Sequence, residues 1–289
     1  MHAFLPSIGF SAITKTELDE LFYRITQSPD YQEMAIDTEG NQFVELRFMA
    51  TDNMGIVLRG TYNDDDQFNI DYYFPVYYGE QESSFADVDI IKQSDKESYH
   101  VMVEEMRLGV SLIFQLQNMG DYIKNANGQT SLMGKEISLT ALSVDGKILL
   151  PIEKEILKKT KIKQQQRIDM MRAAKDGDDS ALDDLTIDDL DTYGMIAGRL
   201  QKNKEDVYSI VVSTFMPYGI ESDKYMIIGE ILDFRTVVNR YSMEEVVQLT
   251  VICNDIMLDV CINKKNLLGE PAIGRRFKGV VWLQGSVKF

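Results

Sequence analysis

Two histidines, His2 and His100, and two cysteines, Cys253 and Cys261, are the soft metal-ligand and nucleophile candidates in a chain of 289 residues. No pair among them has the C-x-x-C or H-x-x-x-H spacing that brings two ligands together on one turn. No metal is expected, and the cysteines read as buried structural thiols in a reducing compartment. There is no G-x-S-x-G elbow, and a Cys–His couple would have to join distant elements. The Gly269 to Gly274 loop encloses Glu270 and Pro271, which suits a turn and not a phosphate cradle, so no cofactor is expected. Asp64, Asp65 and Asp66, and the eight aspartates from Asp176 to Asp191, lack EF-hand spacing. They read as a polar turn and a solvated helix start. A carboxylate pair for glycosidase-type work cannot be singled out from 46 acidic residues. Nothing here assembles a catalytic set, and the chain reads as a non-enzyme.

Two stretches suit binding instead. Asp71 to Gly79 packs Tyr72, Tyr73, Phe74, Tyr77 and Tyr78 around Pro75 and Val76. Alternation along a strand puts Tyr72, Phe74, Val76 and Tyr78 on one face, and Tyr73, Pro75 and Tyr77 on the other. Both faces are amphipathic or apolar. The strand is therefore covered on both sides, with tyrosine hydroxyls reaching the surface, or it presents an aromatic platform to a partner. The covered strand is the preferred reading. Pro75 cannot donate a ladder hydrogen bond, which places the strand at a sheet edge or a bulge. The second stretch is Arg275, Arg276 and Lys278 beside Trp282, a basic edge with an aromatic ring, the combination that holds single strands or anionic ligands. The bland alternative is a core tryptophan with ordinary surface charges.

The elements that must position these residues are mainly strands. Helical spacing of Leu18, Leu21, Phe22 and Ile25 predicts a helix over 16–27, with Thr16 as N-cap and Asp19 behind it. Strands are expected at 43–50 and 56–62, then through the aromatic stretch after the Asn63–Asp66 turn. A short helix is expected over 96–105 and a strand over 108–117. Strands at 136–144 and 147–151 flank Asp145-Gly146, which reads as a tight hairpin turn. A long helix over 153–175 and a second over 185–201 follow. Residues 225–232, 246–253, 257–263 and two strands within 277–289 return to β structure, with a hairpin at Asn254-Asp255. The fold class is α+β. The expected organisation is a mainly antiparallel domain at 1–152, a helical connector at 153–204 and a small OB-like β-barrel at 205–289. No internal repeat with a fixed period stands out.

Charge divides the same way. The net charge is −16, and residues 1–150 carry 10 Lys+Arg against 24 Asp+Glu. That field repels polyphosphates and counts against nucleic acid as a partner of the N-terminal part. No stretch approaches the roughly 18 apolar residues of a membrane helix, and no secretory leader is recognisable, so the expected location is the cytoplasm.

Several phrases resemble one family. Met54-Gly-Ile56, Leu58-Arg-Gly60, Tyr72-Tyr-Phe-Pro75, Lys96-Glu-Ser-Tyr99, Gly109 to Phe114 and Gly146 to Pro151 are similar to the N-terminal part of an uncharacterised family from clostridial Firmicutes. Phe215 to Gly219, Cys253-Asn-Asp255, Asp259 to Asn263, Leu267 to Pro271, Gly274 to Gly279 and Trp282 to Gly285 match its C-terminal part. The resemblance covers essentially the whole chain and implies a cytoplasmic bacterial protein. It supplies no activity and no catalytic residue.

The functional expectation is a non-catalytic binding or adaptor protein. It would engage an unidentified protein or small ligand through Tyr72, Tyr73, Tyr77 and Tyr78, or through the face with Arg275, Arg276, Lys278 and Trp282. The alternative is single-stranded nucleic acid or another anionic ligand on the OB-like part. An enzyme with an unrecognised site ranks below both.

Overall fold

The computed structural model describes residues 1–93, 98–152, 154–178, 180–181, 183–187, 194 and 207–289. A 3-10 turn at Leu5–Ile8 leads into α1, Lys15–Gln27. Four strands follow: β1 Tyr31–Ile36, β2 Gln42–Met49, β3 Met54–Tyr62 and β4 Phe68–Tyr77. They form an antiparallel sheet in the order β1-β2-β3-β4. Next come β5 Ser84–Lys92, β6 Tyr99–Glu105, β7 Val110–Leu116, α2 Met119–Asn125, β8 Ser131–Leu149 and α3 Lys154–Lys175. After a helical turn at Val207–Ile210 the chain runs through β9 Thr214–Pro217, β10 Lys224–Val238, β11 Glu245–Cys253 and β12 Ile256–Asn263. A 3-10 turn at Lys264–Asn266, β13 Leu267–Leu268 and β14 Arg276–Val287 complete it. The protein is thus mostly β with few helices, an α+β fold.

The second, ten-stranded sheet joins the two parts of the chain. Its pairings close on themselves twice. One ring runs β5-β6-β7-β14-β8 and back to β5, and the other runs β10-β11-β12-β8-β14 and back to β10. Each ring has one parallel pairing, β7 with β14 and β12 with β8, and is otherwise antiparallel. Each is built in the same chain order: three strands, a short helical segment, then a long strand that the other ring shares. The repetition is architectural, with no periodic sequence behind it.

Several expectations are corrected by physical detail. The α1 N-cap is Thr14, not Thr16: its hydroxyl accepts from Glu17 N at 3.3 Å while Glu17 Oε2 accepts from Thr14 N at 2.8 Å. A glutamate reaches back to the cap backbone, which closes the reciprocal box two residues earlier. Tyr99–Glu105 is strand β6, not helix, with Val101 and Val103 buried between β5 and β7; residues 94–97 lie outside the described set. Asp145-Gly146 is no hairpin. Both residues lie inside the continuous strand β8, where Gly146 opposes Gly279 of β14. A Cβ on Gly146 would stand 2.5 Å from the Phe277 ring and 2.9 Å from Ile262 Cδ1, so glycine serves close packing there, not a turn. The expected strand pair within 277–289 is the single strand β14. The hairpin at Asn254-Asp255 holds, both residues taking left-handed φ of 50° and 60°. The helix expected over 185–201 lies, beyond residue 187, mostly outside the described residues.

The four-stranded sheet packs on the large one. Phe4, Leu5 and Ile8 of the first turn, Leu18, Leu21 and Ile25 of α1, and Leu46, Ile56, Phe74 and Val76 share a core with Leu142, Val246, Cys261 and Trp282. A separate core fills the large sheet around Phe114, Leu139, Leu249, Leu258 and Phe277.

Candidate functional site

β4 lies at the edge of its sheet, the position that Pro75 requires. The edge is not open at its C-terminal end. Gln284 of β14 donates to Pro75 O at 2.8 Å and accepts from Tyr77 N at 3.3 Å, and Gln117 donates to Tyr77 O at 2.8 Å. Side-chain amides from the large sheet stand in for the missing neighbour strand, because the buried backbone groups need partners.

The four tyrosines take different environments. Tyr72 stacks on Phe74 at 5.6 Å, and burial pushes its hydroxyl up to about 12. Tyr73 is half-buried, edge-on to Phe22, and its hydroxyl accepts from His2 N at 2.9 Å. Tyr78 turns toward Arg47, 5.3 Å from its ring, and toward the buried pair Arg59–Glu45. Tyr77 is only 3 % exposed. Its ring is core, as the covered-strand reading had it, yet its hydroxyl makes no hydrogen bond among the described residues. Burial, then the nearby Cys261 and Asp259, push its pKa upward, so it stays a protonated donor.

That hydroxyl belongs to a pocket of about 110 Å³ where the two sheets meet. Tyr77, Tyr78, Gly79 and Glu80 line one wall; Asp233 and Arg235 of β10, Gln248 and Thr250 of β11, and Asp259 of β12 line the other. The chain passes close at Gly79, where a Cβ would lie 2.7 Å from Asp259 Oδ2 and from Thr140 Cγ2. Asp259 is 5 % exposed; it accepts from Thr250 Oγ1 at 2.6 Å and from Glu80 N at 3.2 Å. Arg235 Nε donates to Gln248 Oε1 at 2.7 Å, and Gln248 Nε2 donates to Asn53 Oδ1 at 2.9 Å. The pocket is polar, with one aromatic hydroxyl and one buried carboxylate converging on it.

The C-terminal candidates do not join this site. Trp282 is 4 % exposed, packs against Phe4 and Phe74, and donates from Nε1 to Asp223 Oδ2 at 2.6 Å. Arg276 is buried and donates to the carbonyls of Leu150, Val211 and Tyr208. Arg275 donates to Glu270 O, and Lys278 pairs with Tyr208, its ammonium 4.3 Å from that ring. Arg276 and Lys278 fasten the start of β14 to the segment before β9 and to the end of β8.

Asp259, Thr250 and Gln248 were missed as site residues, though a signal existed. Gln248 and Thr250 stand two apart within the apolar run Val246 to Ile252, and Asp259 interrupts Met257 to Ile262. Polar residues on one face of a strand that is otherwise core point to a lined cavity.

The arrangement defines a mostly β protein with a polar pocket at the seam of two sheets. The chain belongs to the family described as "Domain of unknown function, E. rectale Gene description (DUF3881)", which matches residues 5–285. No curated protein and no solved structure matches it. Among the described residues no helix is long and apolar enough to cross a membrane.

Proposed function

We propose that this is a non-catalytic cytoplasmic binding protein that takes a small polar ligand, or a polar group of a protein partner, into the pocket at the end of β4. One observation carries the reading: the Tyr77 hydroxyl, on a side chain otherwise sealed in the core, has no partner and meets a pocket lined by Asp259, Thr250 and Gln248. The hydroxyl is left to the pocket, and a cluster of polar groups around a concavity is how specificity for a polar ligand is built. Screening polar fragments by saturation-transfer NMR against wild type and Tyr77→Phe tests it. The expected result is binders whose signal falls several-fold in Tyr77→Phe while Tm stays within about 2 °C, because the ring packing is kept. Equal binding by both proteins would defeat the reading.

The closed ring β10-β11-β12-β8-β14 supports treating residues 205–289 as OB-like, with β8 supplying the fifth strand. A single-stranded nucleic acid on that part would need a platform other than Trp282, whose ring is covered, and a basic group other than Arg276, whose guanidinium is engaged. Salt-sensitive binding of an oligonucleotide by the full chain, lost in Arg275→Glu, would favour it.

A further inference from the structure

We propose that the pocket selects an organic cation, an alkylammonium or guanidinium head group that pairs with Asp259 and the Tyr77 hydroxyl; this rests on the reading of the pocket as a polar binding site. Asp259 is a carboxylate withdrawn from water, yet no Lys, Arg or His among the described residues forms an ion pair with it. A buried carboxylate ordinarily has a counter-charge, since burial without one is costly. Its hydrogen-bond donors, Thr250 and Glu80 N, are neutral and leave lone pairs free.

The surroundings reinforce the sign. Glu80 and Asp233 join Asp259 around the pocket against the single cation Arg235, which is exposed and turned by its Nε onto Gln248. The local balance is three carboxylates to one guanidinium, in a chain of net charge −16. An anionic ligand would be repelled. A bare metal ion is disfavoured by geometry: among the described residues no three His, Cys, Asp or Glu side chains converge to hold one. Tyr77, Tyr78 and Phe234 line the same space and keep its walls partly apolar. The cavity, about 110 Å³, has room for a head group with a few methylenes. The head can belong to a free amine or to a lysine or arginine side chain of a protein partner.

Titrating the ¹⁵N-labelled full chain at low salt with n-butylammonium, 1-butanol and butanoate separates charge from shape, because the first two are nearly isosteric. Saturable shifts at the Gly79, Glu80 and Thr250 amides are expected for butylammonium, at least tenfold stronger than for butanol and absent for butanoate. Asp259→Asn should weaken the amine at least tenfold, and Tyr77→Phe several-fold. N-acetyl-lysine methylamide is the arm that separates sources: binding tighter than butylammonium assigns the head to a protein side chain, and weaker binding assigns it to a free amine. Butanol binding as well as the amine would overturn the cation assignment and leave the polar pocket standing. Silence from all four probes, with no polar fragment found in the screen, would overturn both.

Discussion

Glu45 and Asp259 are both carboxylates sealed in the protein near the end of β4, and the chain treats them in opposite ways. Glu45 accepts from Arg59 Nε at 2.8 Å and Arg47 Nε at 2.5 Å, and Arg47 and Lys124 in turn meet Glu33 at 3.4 and 2.7 Å. Arg59, fully buried, also donates to the carbonyls of Leu116 and Gln117, so the network ties β2 and β3 to the end of β7. Two carboxylates there face three cations. Around Asp259 three carboxylates share the pocket with one cation, Arg235, whose Nε is taken by Gln248. In the first cluster every carboxylate has a cation and the unit fastens the two sheets, with Arg59 Nη1 and the Tyr78 hydroxyl left as its buried atoms without a hydrogen bond. The second leaves Asp259 without an ion-pair partner at a concave opening. Burial of charge alone therefore does not mark a site; burial without the counter-charge does.

The contrast can be broken by substitution. Arg59→Met should be the most damaging change, costing about 3–5 kcal/mol in chemical denaturation, because Glu45 keeps only part of its compensation and three hydrogen bonds are lost. A loss under about 1 kcal/mol would mean the network does not hold the sheets together. Tyr77→Ala should cost about 3–5 kcal/mol, unlike Tyr77→Phe, since the ring is 97 % buried while its hydroxyl has no partner. Asp259→Asn should change stability by no more than about 1 kcal/mol in either direction, whereas Glu45→Gln should cost about 2–3 kcal/mol. Equal losses at the two carboxylates would erase the distinction. The smallest effect belongs to Lys124→Ala, under about 1 kcal/mol, because its ammonium is half-exposed and screened.

The tyrosines add a pH dependence whose sign follows from burial. Desolvation raises the Tyr72 and Tyr225 hydroxyls to about 12, each above the ordinary 10.0. A group raised in the folded state contributes stability that is complete below its unfolded value and is lost as pH rises through the folded one. Stability should therefore hold to about pH 9 and fall between about pH 10 and 12, followed by circular dichroism. An onset below pH 9 would contradict the burial of these rings.

Local pattern made much of the fold legible. Alternation in Val110–Leu116 and the Asn-Asp turn before β12 were readable because each is decided within ten residues. Gly146 was misread because the same Asp-Gly pair serves a hairpin or a close strand crossing, and only Phe277 and Ile262, far along the chain, decide between them. The helix expected before Glu105 failed for a similar reason: β5 and β7 supply both neighbours of Tyr99–Glu105, and local propensity yields to that pairing. At the candidate site the tyrosines were visible as a run, but their fates diverged with packing. Asp259 gains its meaning only through what fails to approach it, and no single stretch of sequence records that.

The shared pair β8 and β14 has a consequence for how the chain reaches this state. Both rings stay open on one side until β14, residues 276–287, has been synthesised, although β5, β6, β7 and β8 emerge long before. An emerging chain cannot complete the first ring and then the second; one late strand closes the two together. A chain stopped at Arg275 should accordingly lack both rings and be digested by protease throughout residues 84–263, not only near its end. The last strand acts as a latch, and assembly is a single event with a deadline set by translation.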